Sequence, residues 1–304
     1  MPKGLVIKST GSWYSVTFED RIIQCNIRGK LRLKDIKSTN PVTVGDLVDF
    51  DFTETEDQGI ITKIHPRKNY IIRKSTRFHA EAHLLAANID QALLFVSLKN
   101  PQTPLEFIDR FLLTAEAYFI PSKIVLNKTD LLSEEEINYF ANIYKLAGYE
   151  VFPVSVAKEE NISTLVELMK NKITLLAGNS GVGKSSFINF INPELNLKTD
   201  AISDYHKSGK HTTTFSELFE VEKDMFIVDT PGIRSFGIID IDEAEVGLYF
   251  KEIFHISKSC KFSNCKHVNE PGCAVVEAFK KREIAESRYK SYLNIIFDDK
   301  SKYR

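Results

Sequence analysis

The sequence predicts a multi-domain chain: an N-terminal β-barrel, a central α/β domain and a mostly helical C-terminal domain. Three observations predict this fold class. Short apolar stretches separated by turn residues fill the first 66 positions, apolar strands and amphipathic helices alternate in the middle, and three of the four cysteines cluster near the end. With 304 residues, the chain is long enough for two or three domains.

Composition and charge narrow the classes of protein. No apolar run approaches the roughly 20 residues of a membrane helix, and the first residues lack the apolar core of a signal peptide. We therefore expect a cytoplasmic protein with no membrane partner. Residues 1–78 carry 14 Lys and Arg against 9 Asp and Glu, residues 251–304 carry 12 against 7, and residues 79–250 carry 14 against 25. Basic flanks around an acidic centre indicate contact with a polyanion; regional variation of surface charge is the alternative.

Residues 1–66 are predicted to form the barrel. Five stretches have the length and the β-branched or aromatic content of short strands, and Gly11, Gly29 and Gly45 are among the residues that separate them. The stretches are 5–7, 13–18, 21–27, 47–52 and 59–64. About five short strands in a region of this size fit a small barrel such as an OB-fold.

One part of this region favours nucleic-acid binding. Residues 28–34 carry a cation at every second position, and Lys37 follows. On a strand those cations share one face, which suits a phosphate backbone, and Trp13 and Tyr14 could add stacking rings. The alternative is a solvated edge that blocks strand pairing, with Trp13 in the core.

A basic linker without a long periodic pattern is predicted at residues 67–87, the central domain at 88–240 and the C-terminal domain at 241–304. Alternating strands and helices indicate a parallel α/β sheet in the central domain. The strands are 91–97, 123–126 and 150–154, and the helices are 105–119 and 133–146. Ser133 and Glu136 have the spacing of a capping box at the start of the second helix.

One stretch of the central domain fits the phosphate-binding pattern G-x-x-x-x-G-K-[ST]. Its residues are Gly178, Asn179, Ser180, Gly181, Val182, Gly183, Lys184 and Ser185, after which Ser186 continues a helix. The glycines let backbone N–H groups converge, and the helix N-terminus adds a positive dipole there. Lys184 would reach the β- and γ-phosphates, and Ser185 would bind Mg²⁺. A Gly-rich turn that matches the pattern by chance is the alternative.

A second motif, Asn127-Lys128-Thr129-Asp130, follows a strand at the edge where open α/β sheets bind ligands. Asp130 could accept hydrogen bonds from N1–H and the 2-amino group of guanine, which adenine does not offer in that arrangement. The stem of Lys128 could pack over the base, and Asn127 could tie this loop to the phosphate loop. Alone, the tetrad could be a polar turn; with the phosphate loop it predicts a site for GTP or GDP.

Two segments that follow the phosphate loop are predicted switches. At 225–232, an apolar strand delivers Asp229 to the Mg²⁺ shell, and the N–H of Gly232 can sense the γ-phosphate. At 207–215, one of three consecutive threonines would close on Mg²⁺, and we predict Thr213. Such segments are ordered by the triphosphate and released after hydrolysis. A β-rich strand start is the alternative for the threonine run.

The motifs resemble those of translation-factor-type GTPases in a changed order. Familiar GTPases run P-loop, switch Thr, D-x-x-G, N-K-x-D and S-A, whereas here the Asn127 motif and Ser155-Val156 precede the P-loop. This order is a circular permutation, and the whole chain resembles the RsgA/YjeQ family, also called YloQ-type. The resemblance implies an OB-fold, a permuted GTPase domain and a C-terminal zinc domain. It also implies a GTPase that binds the small ribosomal subunit late in maturation and is stimulated by it.

Two positions depart from the familiar GTPase pattern. Many GTPases place Gln after D-x-x-G to orient the attacking water, but this chain has Ile233 there. His211, beside the switch threonines, resembles the family's G-[RK]-H-T-T and is our candidate for that role; a solvent histidine is the alternative. Val156 replaces the commoner Ala, which is tolerable because the expected contact is a backbone N–H to the guanine O6.

Near the end of the chain, Cys260, Cys265, His267 and Cys273 lie within 14 residues. Three thiolates and one imidazole can complete a tetrahedral Zn²⁺ shell, which indicates one structural ion. Three buried thiols and a surface histidine are the alternative. Residues 274–297 read as helical, and a group of nearby cations could face RNA. That group comprises Lys261, Lys266, Lys280, Lys281 and Arg282.

Together these features predict a GTP hydrolase that assembles ribosomes, with Zn, Mg and GTP or GDP as cofactors and the small subunit and its rRNA as partners. We expect a monomer with slow intrinsic hydrolysis. The alternative is a nucleotide-gated RNA-binding scaffold with negligible turnover, which Ile233 favours. An ATP-using enzyme is disfavoured by Asn127, Lys128 and Asp130.

Overall fold

A computed structural model of the chain describes residues 1–27, 41–54, 57–74, 82–195, 217–229 and 241–297. The described residues form two compact units. The first consists of those within Met1–Ala92, Val166–Leu176 and Ile188–Ile233, and the second of those within Leu93–Leu165, Ala177–Phe187 and Arg234–Arg304.

A five-stranded barrel begins the first unit. Its strands are β1 (Lys3–Ser9), β2 (Tyr14–Phe18), β3 (Arg21–Ile27), β4 (Leu47–Phe52) and β5 (Gln58–Ile64). Antiparallel pairing joins β1 to β2, β2 to β3 and β4 to β5, β3 runs parallel to β5, and β1 pairs with β4 to close the sheet. The predicted barrel and its five strands are confirmed.

Alternate residues of the barrel strands face its core. The fully or almost fully buried residues are Val6, Tyr14, Val16, Ile23, Cys25, Val42, Val48, Phe50 and Ile61. Tyr14 is only 1% exposed, so it is a core residue and cannot stack on a nucleotide base, whereas Trp13 is 41% exposed. The cation-rich stretch at 28–34 and Lys37 lie outside the described residues.

A two-stranded antiparallel sheet follows the barrel, formed by β6 (Tyr70–Lys74) and β7 (Ala82–Ala87). The sequence predicts an irregular linker here and misses both strands. Ile71, Ala86 and Ala87 are buried, but the apolar residues of each strand are adjacent in the sequence and therefore show no period of two.

The rest of the first unit extends the sheet from the barrel. Strand β12 (Glu217–Glu222) pairs with β1 of the barrel and, antiparallel, with β13 (Met225–Asp229). Strand β13 runs parallel to β11 (Ile173–Ala177), whose five residues are all buried.

The second unit contains the elements around the predicted nucleotide loops. Strand β8 (Gln91–Val96) is followed by α1 (Leu105–Ala117), β9 (Ser122–Leu126) by α2 (Glu134–Leu146), and β10 (Val151–Pro153) by α3 (Ile162–Met169). Strands β9 and β10 are parallel, and α4 (Lys184–Ile191) follows the phosphate loop. The predicted capping box on α2 is present, because Ser133 and Glu136 exchange backbone-to-side-chain hydrogen bonds.

The C-terminal part of the second unit, residues 241–297, is termed here the C-terminal module. It contains α5 (Lys251–Ser257), α6 (Ala274–Lys280) and α7 (Glu286–Phe297). The prediction that residues 274–297 are helical is confirmed for α6 and α7, and the two helices are separated where Arg282 adopts a left-handed φ of 62°. The N–H groups of Arg282 and Glu283 donate to the carbonyls of Phe279 and Ala278, which is the Schellman arrangement that ends a helix.

The core of the C-terminal module is shared with α1. Leu113 of α1 packs among the buried residues of the module, which include Val246, Phe250, Ile253 and Ile295. Among the described residues, none of the helices combines the length and the apolar character that crossing a membrane requires.

Candidate nucleotide site and metal centre

Three glycines shape the phosphate loop between β11 and α4. Gly178, Gly181 and Gly183 all have positive φ, at 128°, 78° and 103°. A Cβ on Gly178 would lie 2.1 Å from the carbonyl oxygen of Phe95, and one on Gly183 would lie 2.1 Å from Nδ2 of Asn127. Only glycine therefore fits these two positions, both for backbone conformation and for space.

The side chains of the phosphate loop differ in burial and in hydrogen bonding. The ammonium group of Lys184 donates to the carbonyls of Gly178 and Asn179 at 2.6 and 2.7 Å. Ser185 is buried in the first turn of α4, and Val182 is fully buried beneath the loop. Asn179 and Ser186 are half-buried, while Ser180 and Gly181 are exposed at the loop tip. The loop thus presents a cation and the N-terminus of α4 at one place.

Asn127 joins the phosphate loop to two other predicted segments. It follows β9 and is buried, at 2% exposure. Its Nδ2 donates to the carbonyl of Val182 at 2.8 Å, and its Oδ1 accepts from the backbone N–H of Val156 at 3.0 Å. Segments that are 29 and 55 residues away from Asn127 in the chain therefore meet at this one side chain.

The remaining residues of the Asn127 motif are held in a defined conformation. Lys128 adopts a left-handed φ of 64°, and its ammonium group donates to the carbonyl of Asn100. The exposed carboxylate of Asp130 accepts a hydrogen bond from the hydroxyl of Ser155 at 2.6 Å. Because a carboxylate offers about four acceptor positions, this bond leaves capacity for further donors.

The backbone N–H of Val156 has a partner that the sequence did not predict. The sequence assigns this donor to the guanine O6, whereas in the structure it donates to Oδ1 of Asn127. The Val156 amide therefore braces the Asn127 side chain against the phosphate loop.

Sequence reasoning also missed the segment 97–104, which follows β8. Pro101 lies beside Gly181 of the phosphate loop, because a Cβ on Gly181 would be 3.3 Å from Cδ of Pro101. Lys99 donates to the carbonyl of Leu131 at 3.1 Å. The signal that could have found this segment is its position directly after a buried strand, as for Asn127.

Most of the predicted switch residues lie outside the part of the chain that the structure describes. These are His211, Thr213, Gly232 and Ile233. Asp229 is the last residue of β13, where the predicted strand indeed ends.

The four predicted metal ligands converge in the C-terminal module. Their ligand atoms all lie within 4.8 Å of one another. The Sγ atoms of Cys260 and Cys273 are 3.9 Å apart, and each lies 3.5 or 3.6 Å from Nδ1 of His267. Around a tetrahedral zinc ion, bonds of about 2.3 Å to sulfur and 2.0 Å to nitrogen place two sulfur ligands about 3.8 Å apart and a sulfur and a nitrogen ligand about 3.5 Å apart. The donor set therefore fits a zinc ion.

Burial shifts the pKa values of the side chains in this cluster. Burial raises the pKa of the Cys265 thiol to about 12 and also raises the pKa of Cys273. Burial lowers the pKa of His267, which favours the neutral imidazole that binds metals. Thiolates at such a site need a bound metal to stabilise their charge.

Residues outside the four ligands fix the metal loop. Burial alone would raise the pKa of Glu270, but backbone N–H groups of the loop donate to its carboxylate and hold that pKa below its usual value. Lys266, Val268 and Asn269 provide these donors at 2.7 to 3.1 Å. The hydroxyls of Tyr289 and Tyr292 on α7 donate to the carbonyls of His267 and Lys266. Sequence reasoning missed these contacts because they depend on tertiary packing.

Exposed cations and rings alternate on the C-terminal module. The ammonium group of Lys258 lies 4.9 Å from the ring centre of Phe254, and that of Lys261 lies 5.4 Å from the ring centre of Phe262. Both rings are 42% exposed. The other predicted cations, at Lys266 and at Lys280, Lys281 and Arg282, are exposed as well.

Comparisons with known proteins cover nearly the whole chain. A family model described as RsgA N-terminal domain matches residues 3–61, and one described as RsgA GTPase matches residues 64–239. Proteins named "Small ribosomal subunit biogenesis GTPase RsgA" from Phocaeicola vulgatus and Flavobacterium johnsoniae are 52% and 47% identical over 307 residues. These alignments span 99% of this chain, and 99% and 94% of the relatives.

Two solved structures are also similar over their full length. YjeQ from Thermotoga maritima is 35% identical with a TM-score of 0.79, and the match covers 98% of each chain. YloQ, described as a circularly permuted GTPase, is 32% identical with a TM-score of 0.76, and the match covers 99% of this chain and 96% of that one.

Proposed function

The chain belongs to the RsgA family of GTPases and is a GTP hydrolase, and on this premise we propose that it acts late in the maturation of the small ribosomal subunit. In this role it binds rRNA of the subunit, and the subunit stimulates its hydrolysis of GTP. The relatives named above carry small-subunit biogenesis in their names.

One observation carries the nucleotide-binding part of the proposal. The side chain of Asn127 hydrogen-bonds both to the phosphate loop at Val182 and to the segment at Val156. Loops that are far apart in the permuted sequence are thereby held side by side, so that a single nucleotide can contact all of them.

At the base, Asp130 would select guanine. Its carboxylate already accepts from Ser155, which orients it, and its other acceptor positions would receive N1–H and the 2-amino group. The stem of Lys128 would cover the base, with its ammonium group held at Asn100. An adenine base offers no equivalent pair of donors, so we propose strong preference for GTP over ATP.

At the phosphates, Lys184 and the backbone N–H groups of residues 178–185 would hold the negative charge. The ammonium group of Lys184 now bonds to Gly178 and Asn179, and it would turn to the β- and γ-phosphates when nucleotide enters. Ser185, Thr213 and Asp229 are the proposed ligands of Mg²⁺, which would offset charge on the bridge between the β- and γ-phosphates.

Hydrolysis without the subunit should be slow. Ile233 cannot hydrogen-bond the attacking water, and we propose that His211 orients it once the switch segments are ordered. Ordering of those segments on the subunit would then account for stimulation.

The C-terminal module would meet the RNA. A zinc ion bound by Cys260, Cys265, His267 and Cys273 would be structural, because four protein ligands leave no open position. Cations interleaved with exposed rings, as at Lys258 with Phe254 and at Lys261 with Phe262, suit contact with phosphates and unstacked bases.

Phosphate release with purified small or large subunits tests the role. We expect GTP turnover to rise with small subunits and to stay at the intrinsic rate with large ones. Pelleting of the protein with each subunit, under GDP and a non-hydrolysable GTP analogue, tests binding separately. The alternative, a nucleotide-gated RNA-binding scaffold, is favoured by Ile233; binding to small subunits without any stimulation would support it and refute the proposal.

Asp130→Asn tests guanine selection. Loss of two charge-assisted hydrogen bonds should weaken GTP binding about 100-fold and narrow the preference over ATP, as measured by competition against a fluorescent nucleotide. The matched control is Glu134→Gln, the same acid-to-amide change at an exposed position in the first turn of α2. Equal affinity of both variants for GTP would show that Asp130 does not read the base.

A further inference from the structure

A buried arginine in the C-terminal module forms a cluster that the proposed mechanism does not use. Arg288 of α7 is 1% exposed. Its Nε and Nη2 donate to the two carboxylate oxygens of Glu252 on α5, at 2.8 and 3.0 Å, and its Nη1 donates to Oδ1 of Asp109 on α1, at 2.8 Å. One guanidinium group thus holds α1 against two helices of the module.

Aromatic rings enclose the same guanidinium group. Its central carbon lies 4.5 Å from the ring centre of Phe250, 5.8 Å from that of Tyr149 and 5.9 Å from that of Tyr144. Tyr144 is in the last turn of α2, and Tyr149 follows that helix. The cluster therefore contacts both α1 and α2.

Both helices begin at the nucleotide loops. Helix α1 follows the segment 97–104, in which the carbonyl of Asn100 accepts from Lys128 and Pro101 lies beside Gly181. Helix α2 follows the Asn127 motif directly, and Lys99 connects the two segments through a salt bridge to Glu136 at 2.9 Å. A displacement of α1 or α2 at the Arg288 cluster would move the loops at their N-terminal ends.

The cluster is a poor source of stability in itself. It buries two carboxylates with one guanidinium group, and among the described residues Oδ2 of Asp109 and the hydroxyl of Tyr144 have no hydrogen-bond partner. Apolar side chains of similar volume often stabilise a protein as well as a buried ion pair or better. What the guanidinium provides is a fixed geometry between three helices, since its planar fork bonds Glu252 and Asp109 at once.

We propose that Arg288 is a positioning residue for guanine-nucleotide binding, which couples the arrangement of the C-terminal module to the geometry of the loops at Asn127 and Lys184. Metal at the Cys/His site and nucleotide at the loops then favour each other, because coupling between two sites is reciprocal. This inference rests on the proposed zinc site and not on the ribosomal role.

Titration with a fluorescent GDP analogue tests the proposal on the full-length, zinc-loaded protein. Arg288→Lys keeps the charge but cannot bond both carboxylates in the same geometry, so we expect about tenfold weaker GDP binding. The matched control is Lys290→Met on the same helix, where Lys290 is exposed and pairs only with Glu286 of the same helix among the salt bridges described. Its GDP affinity should equal that of the parent.

A second measurement separates positioning from mere stabilisation. Removal of zinc with a chelator, under conditions where circular dichroism shows a folded GTPase domain, should weaken GDP binding about tenfold in the parent. In Arg288→Lys, zinc removal should change the GDP affinity less than about twofold. Zinc removal and the substitution would both act through the Arg288 cluster, so their effects on GDP affinity are not additive.

The proposal would be overturned if zinc removal and Arg288→Lys weakened GDP binding additively. It would also be overturned if folded Arg288→Lys bound GDP as tightly as the parent. If that variant does not fold, Glu252→Gln replaces it. Arg288 stays paired with Asp109, but the amide has one oxygen acceptor for the two donors Nε and Nη2, so the fixed geometry is lost on one side. Its effect on GDP affinity should have the same sign, and no effect would again overturn the proposal. Stimulation by small subunits is not measured in these experiments, so failure of the ribosomal role would leave their outcome untouched.

Discussion

The barrel and the C-terminal module are of similar size, but they are stabilised in different ways. The barrel closes its own sheet through β1 and β4, and the residues of its core cluster all come from the barrel region. The core of the C-terminal module includes Leu113 of α1, its buried Arg288 is neutralised in part by Asp109 of α1, and four of its side chains form a cluster that fits a metal ion.

Backbone hydrogen bonding explains much of this difference. A closed barrel pairs its strands internally and needs no neighbour to complete it. Helices as short as α5 and α6, with seven residues each, are marginal by themselves and depend on tertiary packing. The core of the module includes Leu113 of α1, so a neighbouring helix contributes to its stability.

The contacts of each region with neighbouring elements follow the same contrast. Lys8 of β1 forms a salt bridge with Glu217 of β12, and both side chains are partly exposed, at 43% and 33%. Arg288 and Asp109 are 1% and 0% exposed. At its junction with β12 the barrel is therefore joined by a partly exposed ion pair, whereas the C-terminal module is joined to α1 through a buried one.

Removal of one metal ligand should have the largest effect. Cys273→Ser should destabilise the C-terminal module on the order of 5 kcal/mol, a part of the roughly 10–16 kcal/mol that structural zinc supplies. Hydrogen exchange should then become fast in α5, α6 and α7 and stay slow in the barrel, and bound zinc should be lost. The control is Cys25→Ala, since Cys25 is buried in the barrel core and its loss should leave zinc content unchanged. Slow hydrogen exchange throughout the module in zinc-free Cys273→Ser would show that the module, like the barrel, is stable without a metal.

A cavity in α1 should have the next largest effect, and it tests the dependence of the module on its neighbour. Leu113→Ala should cost about 3 kcal/mol, because Leu113 is 1% exposed and packs among the residues of the module core. Hydrogen exchange should accelerate in α7 as well as in α1. The matched change in the barrel, Phe50→Ala, should cost about 4 kcal/mol and accelerate exchange in the barrel strands alone. If α7 were as protected in Leu113→Ala as in the parent, the module would be independent after all.

The sequence predicts local features of this molecule well. The five barrel strands, the capping box at Ser133 and the strand before the phosphate loop are each specified by residues close together in the chain. The grouping of the four metal ligands also follows from a short spacing. In such segments, alternation, turn residues and caps all indicate the same structure.

The features that the sequence does not predict depend on contacts between distant residues. The strands β6 and β7 lack an alternating apolar pattern and are defined by their pairing with each other, and the end of α6 is set by the left-handed conformation of Arg282. Arg288 and Asp109 are 179 positions apart, so no local pattern indicates that their charges pair in the interior. The Val156 amide bonds to Asn127 for the same reason.

The smallest expected effect concerns the surface contact of the barrel. Lys8→Met removes the salt bridge with Glu217 but leaves the antiparallel register of Lys8 opposite Glu217 intact. Because exposed ion pairs contribute about 0.2–1 kcal/mol and are screened by salt, chemical denaturation should show a loss within that range, and the loss should vanish at 1 M salt. Lys3→Met, at the other end of β1, provides the control for removing a cation from this strand. A loss of several kcal/mol in Lys8→Met would mean that the barrel relies on its junction with β12 as strongly as the C-terminal module relies on α1, and the two regions would no longer differ in kind.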